Sequence, residues 1–470
     1  VEICPTTALH TRADGIVDFD NDRCIGCKSC MQACPYDALY IDPNTHTAAK
    51  CNYCAHRIDG GYEPACVIIC PVEAIISGDL DDPESNIAQL VANEETMTRK
   101  PEKGTDPNLY YINGSSEMLD PNATTTDEKY VWSEQSVGVG HFAKYADQRV
   151  GESDTENLLI QLAMENSAKT GQPIDQRAID NVAKEIQQDV DTQEARRVYD
   201  SPSKGVLWGW EVPAYVWTKA IATGTFLMMA VWSLINGGLD KTSEMTGLVT
   251  TLVFMGLTGG LLVKDIDRPD RFLYVLLRPQ WKSWLVRGAY IITVFGGLVS
   301  LKLLDNYLQL GFDWLWIPGI VFAGLGAVYT AFLFNQARAR DLWQTPIQSA
   351  IHMLVHAFMA GSVVMMIIAP ETMGWMTNTL LWGIILNIVI MAIEILMPHD
   401  TPDTKKAIQL MTKGYYSNMF WTGIVIGNIF PFIMLIVLTG SMILVAGGLA
   451  IIGIFLTEFV PIQDEISPVS

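Results

Sequence analysis

Beyond Pro71 the chain has no cysteine; all nine lie ahead of it. Whatever sulfur chemistry the protein performs is confined to its first residues. Basic residues are also scarce, 31 Lys and Arg against 51 Asp and Glu, for a net charge of −20. Such an acidic chain argues against nucleic acid as a partner. A mean hydropathy of +0.21 is high for a soluble protein and higher still for an acidic one. The two properties are compatible only if charge and apolarity occupy different parts of the chain. They do: long apolar runs are missing before Val212, and from Asp79 to Lys204 there are 25 acidic residues against 12 basic ones. No signal or twin-Arg segment is visible. The sequence starts at Val rather than Met, so further residues ahead of Val1 are expected.

The cysteines are spaced with purpose. Cys24, Cys27, Cys30 and Cys34-Pro35 follow C-x2-C-x2-C-x3-C-P, the bacterial ferredoxin spacing. Three thiolates on one tight loop cap three irons of a cubane, and the fourth, on the helix that follows, serves another cluster. Gly26 lets the loop turn close to the sulfides. Cys51, Cys54, Cys66 and Cys70-Pro71 repeat the logic, with extra residues before the third Cys. Disulfides or a zinc knuckle would leave two x3-Cys-Pro endings unexplained. Cys4-Pro5, in "VEICPTTAL", has the same ending as "MQACPYDAL" and "VIICPVEAI". His56 and Arg57 lie beside a cluster loop, where they would tune its potential or simply face solvent.

These motifs, with "AHRIDGGYEPACV", "SGDLDDPES" and "RKPEKGTDPNLYYI", resemble the four-cluster iron–sulfur subunits of molybdopterin oxidoreductases, of the polysulfide, tetrathionate and dimethyl sulfoxide reductase type. The resemblance covers roughly residues 1–112 and implies 4Fe-4S clusters: two or more, and up to four with residues ahead of Val1. It implies that Cys4 joins Cys24, Cys27 and Cys30 around one cluster. Cys34, Cys51, Cys54, Cys66 and Cys70 would then serve clusters completed upstream. A self-sufficient two-cluster ferredoxin is the other arrangement, pairing Cys24, Cys27 and Cys30 with Cys70, and Cys51, Cys54 and Cys66 with Cys34, with Cys4 left over.

Residues 113–205 read as an acidic polar linker or insertion, with helical stretches at about Glu156–Asn166 and Ile179–Tyr199. Glycosylation-type triplets at Asn113 and Asn122 are weak signals. From residue 206 to 470 the chain reads as an all-α membrane bundle of about eight spans, near 212–236, 245–264, 285–304, 316–336, 347–369, 376–397, 418–438 and 439–459. The fold class is thus an α+β ferredoxin-like iron–sulfur head on a polytopic helical bundle.

Glu211, Tyr215 and Lys219 lie four residues apart and stack along one helix face. A lysine roughly 10 Å inside a span is costly unless it snorkels, pairs or meets water. His352 and His356 are likewise four apart on the fifth span, where one helix cannot supply both axial ligands of a haem. A proton relay or a quinone hydrogen bond suits them better than haem or plain packing. Glu394 is a further proton-path candidate, and Asn387 and Asn428 read as helix-packing hydrogen bonds.

"WGWE" ahead of the first span and "DIDRPDRF" after the second resemble the NrfD and polysulfide-reductase membrane subunits. That resemblance covers roughly residues 205–460 and implies quinone chemistry, with Glu211, Tyr215, Lys219 and His356 as its candidate residues and Asp265, Arg268 and Arg271 on the loop. It implies a quinone, of the menaquinone kind, and no haem. The sequence departs from the family at Lys219 and at Asp267, where the "DLGRP" version has Gly. The implied role is a quinone-reacting electron-transfer subunit in the prokaryotic cytoplasmic membrane, with its catalytic partner, of molybdopterin or hydrogenase type, on another chain. An ion pump and a bare membrane anchor are the alternatives. Basic residues gather in the loops that share a side with the head. They place that side in the cytoplasm by the positive-inside rule, or else they dock the acidic head; many relatives keep the head outside.

Overall fold

The computed structural model describes residues 1–115, 119, 207–397, 401–438, 440 and 442–464. The two helical stretches expected in the acidic middle, and Asn122, lie outside those residues. The head is built from three antiparallel hairpins: β1 (Leu9–Thr11) with β2 (Val17–Phe19), β3 (Leu39–Asp42) with β4 (Thr47–Lys50), and β5 (Thr96–Met97) with β6 (Tyr111–Ile112). Short helices α1 (Ser29–Ala33), α2 (Ala55–Ile58) and α3 (Ala65–Ile68) carry or flank cysteines, and α4 (Asn86–Asn93) is capped by the Ser85 hydroxyl.

The three Cys-Pro endings share one backbone form. Thr7, Asp37 and Glu73, each three residues after Cys4, Cys34 and Cys70, all have positive φ, at 57°, 55° and 50°. A non-glycine residue rarely adopts that region. Each Cys sulfur then accepts a backbone N–H from just downstream: Cys4 from Leu9 (3.4 Å), Cys34 from Ala38 (3.5 Å) and Cys70 from Ala74 (3.2 Å). Cys4 therefore sits in the geometry of a motif's fourth cysteine.

Among the described residues, eight helices are long and apolar enough to span a membrane: Glu211–Asn236, Lys241–Lys264, Trp284–Leu308, Asp313–Gln336, Pro346–Ile368, Pro370–Leu396, Ser417–Val437 and Met442–Ile462. They match the eight expected spans to within a few residues. The first span is the most enclosed, with 72% of its apolar window buried, and the fifth follows at 61%. Small residues explain why these two lie so close. A Cβ added to Gly224 would sit 1.8 Å from the Ala357 carbonyl oxygen, and one on Gly361 would sit 2.2 Å from Gly224. Without a hydrophobic drive between helices in lipid, such backbone approach supplies the packing energy. The seventh and eighth spans cross the same way at Gly427 and Gly453, where the seventh loosens into a π turn over Val425–Ile429.

Gly361→Ala should lower the melting temperature of the detergent-purified protein by several degrees, since overpacking of this kind costs about 1–3 kcal/mol. Gly296→Ala, whose added carbon would meet nothing within 4 Å, should leave the melting curve in place. Fluorescence-detected thermal unfolding of both variants checks the pair.

Candidate functional site

Three groups of residues make the site. The first is a cavity in the head. Cys4, Cys24, Cys27 and Cys30 line it together, with Pro5, Ala8 and Ile25. Cys70 does not line it. No three His, Cys, Asp or Glu side chains among the described residues converge tightly enough for a single metal ion. Four cysteines around a wider space fit a cubane, whose sulfur ligands stand further apart than those of a zinc knuckle. Burial pushes the thiols of Cys24, Cys27 and Cys30 up, Cys27 to about 12. The Ala74 N–H, together with neighbouring amides, pulls the partly exposed Cys70 down. Cys51 and Cys66 are exposed and Cys34, Cys54 and Cys70 partly so, and none of these five joins the cavity.

The second group is the seam between head and bundle. The loop after the second span runs along the cysteine loop. Asp267 N donates to Gly26 O (3.3 Å) and Arg268 N to Ile25 O (3.2 Å). The approach is so close that a Cβ on Gly26, at φ +69°, would stand 2.7 Å from the Asp267 Cβ. Arg268 donates to Thr45 O (3.2 Å), and Arg271 to Asn21 O (2.6 Å) and Cys24 O (3.1 Å). Further along, Gln280 N bonds Pro5 O, Ser283 Oγ bonds Ile3 O, Arg338 bonds Lys103 O and Arg340 bonds Gln32 Oε1. Lys28 pairs with Asp267, Lys103 with Asp341, and Lys282 with Glu2. The basic loops thus dock the head. Arg271 spends its guanidinium group on head carbonyls, while Arg268 both grips Asp270 of its own loop through Nε and Nη2 and reaches a head carbonyl. Burial holds the Asp265 carboxyl up at about 7, against a counter-pull from Lys28.

The third group lies inside the bundle. Lys219 does not snorkel. It is 1% exposed, and its Nζ donates to Ala327 O (3.0 Å) and Thr330 Oγ1 (2.5 Å) while lying 4.7 Å from the centre of the Tyr329 ring. Placing a lysine mid-helix in a membrane costs about 2.5–3.5 kcal/mol. Hydrogen bonds to charged groups return about 1.5–3 kcal/mol each, so these contacts are of the size needed to hold it. His356 Nδ1 meets Glu458 Oε1 at 2.7 Å, and His352 Nδ1 meets Glu394 Oε1 at 3.2 Å. Both Nε2 atoms share Asn387 Oδ1, at 3.0 and 2.8 Å, and Asn387 Nδ2 donates to Asn428 Oδ1. A tight pocket between the first, fourth, fifth and eighth spans, with no room for a water molecule as it stands, is lined by Val216, Lys219, Ala220, Ala327, Met353, His356, Ile454 and Glu458.

A sequence profile of the polysulphide reductase, NrfD, family matches residues 200–464. The chain belongs to that family. A 4Fe-4S dicluster domain matches residues 1–80. Among curated proteins, this NrfD-family chain is 45% identical over 123 residues to a tetrathionate reductase subunit of Salmonella typhimurium, covering 26% of the chain and 49% of that protein. It is 44% identical over 113 residues to a polysulfide reductase component of Wolinella succinogenes, 24% of the chain and 59% of that protein. It is 45% identical over 114 residues to protein NrfC of Escherichia coli, 24% and 51%. The chain therefore spans about half the length of the curated relatives it matches. It joins an iron–sulfur head and an NrfD membrane domain in one polypeptide.

The sequence-predicted residues divide between these places. Lys219 and His356 share the inner cavity. Tyr215 is buried in the apolar core just head-side of it, with Trp208 and Met353. Glu211 turns instead to the seam, 3.3 Å from Lys264. Asn387, read from sequence as packing, is the shared acceptor of two imidazoles as well. Glu458, Tyr329, Thr330 and Trp208 were not anticipated. A carboxylate inside the apolar run "IFLTEFV" is the signal that could have found Glu458.

Cys4→Ser in the purified complex should remove the signal of one 4Fe-4S cluster from the reduced EPR spectrum and about four irons per chain. Cys70→Ser should leave that signal in place. Iron analysis with EPR of both variants tests the cavity assignment. Arg271→Ala should leave cluster content intact and speed limited proteolysis between head and bundle.

Proposed function

We propose that this chain is the quinone-reacting electron-transfer subunit of a membrane-bound respiratory oxidoreductase. It passes electrons between a quinone of the menaquinone kind and a catalytic partner of the molybdopterin type. The single observation that carries this reading is continuity. Cys30, in the head cavity, packs on the same buried cluster as Trp208, Tyr215, Val216 and Met353, and Val216 and Met353 line the Lys219 cavity. No polar layer separates the cysteines from the bundle's inner polar groups, and Trp208 touches both sides through its bond to Cys27 O (3.4 Å) and its stack on Trp343 (5.7 Å).

A 4Fe-4S cluster held by Cys4, Cys24, Cys27 and Cys30 supplies one-electron storage at the membrane face of the head. The remaining work falls to the chain's own residues. Lys219 Nζ, now bonded to Ala327 O and Thr330 Oγ1, is the donor placed to turn toward a quinone oxygen. His356, backed by Glu458, holds or gives the proton at its Nδ1. Tyr215 and the stacked Trp208, Phe334 and Trp343 exclude water between the two centres. Arg268 and Arg271 fix the distance by clamping the cysteine loop. The relatives' names, polysulfide and tetrathionate reductase, support a reductase partner, which would hold the substrate.

A menaquinol analogue added anaerobically to the oxidised complex should reduce the clusters by EPR, or quinone should reoxidise dithionite-reduced clusters, and a quinol-site inhibitor should stop it. Lys219→Met should slow that transfer at least ~10-fold with the dithionite-reduced spectrum unchanged. Transfer in neither direction, with clusters intact, would leave an iron–sulfur wire on a membrane anchor.

A further inference from the structure

The polar groups buried in the bundle fall in two places: Lys302, paired with Asp305, Asp313 and Glu244, at the far face, and the lysine, histidine, asparagine and glutamate groups of the inner site in the head-side half. Lys219 is eight residues from the start of the first span, about 12 Å, and His352 and His356 are about 9 and 15 Å into the fifth. Asn387 and Glu394 precede the end of the sixth span, at Leu396, by about 14 and 3 Å. That end is head-side, since Thr401 just beyond it bonds Asp341. Glu458 lies shortly before Ile462, which packs in one cluster with Ile3 of the head. None is deeper than about half of a ~30 Å hydrocarbon core.

Between these two places the interior is an apolar plug. Phe226, Met228, Met229, Met359, Met365, Met366, Met376 and Leu380 are all at or below 1% exposure. The few hydroxyls there are turned onto their own helices: Thr223 to Lys219 O, Thr225 to Ile221 O, Thr251 to Gly247 O and Ser362 to Phe358 O. Among the described residues they offer no continuous hydrogen-bonded route to the far face.

On the head side the groups form two matched pairs. With Asn387 Nδ2 committed to Asn428, its Oδ1 accepts from both imidazoles, so both Nε2 atoms carry hydrogen. Each Nδ1 then shares a proton with a carboxylate, His356 with Glu458 and His352 with Glu394. The rings stand 4.4 Å apart. Side-chain exposure rises outward, from 2% at His356 through 16% at His352 to 31% at Glu394.

We propose that the two protons of quinone chemistry are exchanged with the head's side of the membrane through His356–Glu458 and His352–Glu394, and that none crosses to the far face. The proposal rests on the quinone reading above. In quinol oxidation two O–H bonds break, two electrons leave to the iron–sulfur head, and two protons pass by way of these pairs to water beside Glu394. Quinone reduction runs the same balance backwards. Movement from the inner pair to the outer needs one imidazole to turn or one water to enter.

The test uses the whole purified complex in proteoliposomes that trap pyranine. A menaquinol analogue is the donor and external ferricyanide the acceptor. Ferricyanide takes electrons without protons and does not cross the bilayer, so only complexes with the head outward turn over. In the inhibitor-sensitive part of the reaction, two protons per quinol should appear outside at once, unchanged by a protonophore, with pyranine silent. Acidification inside, or more than two protons outside with alkalinisation inside, overturns the proposal while leaving quinone chemistry standing. Absence of inhibitor-sensitive ferricyanide reduction sinks the quinone reading and this proposal with it. Glu394→Gln should slow proton release at least ~10-fold, with acetate restoring it, Glu394→Asp retaining it, and the dithionite-reduced EPR spectrum unchanged. Release at the full rate in Glu394→Gln overturns the outer pair's role.

Discussion

The structure depends on how the loop Asp265–Arg271 lies along the cysteine loop. Two backbone hydrogen bonds, to Ile25 O and Gly26 O, and two arginines on Thr45, Asn21 and Cys24 carbonyls fix one against the other. Only glycine fits at residue 26, because the backbone is left-handed there and the opposing strand leaves no room for a Cβ. Electron transfer demands a fixed short distance between head and bundle. Carbonyl oxygens meet that demand better than surface ion pairs, which are weak and screened. The same contacts give several of the basic residues in the head-side loops a partner in the head, chiefly backbone carbonyls.

A second constraint is the cost of polarity inside a bilayer. The bundle meets it by gathering Lys219 and the two imidazoles into one set near the head, each nitrogen given a partner, and by pairing Lys302 with Asp305 and Asp313 at the far end. The glycine crossings at Gly224 and Gly361, and at Gly427 and Gly453, bring the first, fifth, seventh and eighth spans close enough for that set to connect. The π turn in the seventh span carries Asn428, and π turns often mark functional positions. Between the two sets methionine and phenylalanine pack tightly, a poor medium for protons.

Much of this was legible from residue order. Cysteine spacing is a local property: three thiolates must sit on one loop to cap one cubane face, so C-x2-C-x2-C is readable without the fold. The eight spans were readable for the same reason, since a helix crossing lipid must be apolar along its own length. Lys219, His352 and His356 stood out as expensive residues in such segments. Glu211 shares their helical spacing but meets Lys264 at the seam, because spacing shows which residues share a face and not what that face meets.

The sequence by itself determined an iron–sulfur head, an eight-span bundle and the handful of ionisable residues that lipid would not tolerate without cause. Only the tertiary structure decided who their partners are. His356 meets Glu458, and two histidines share Asn387, through contacts between residues far apart in the chain. Those pairings follow from which helices cross and at what height, and crossing is set by shape complementarity at small residues, which no local pattern encodes.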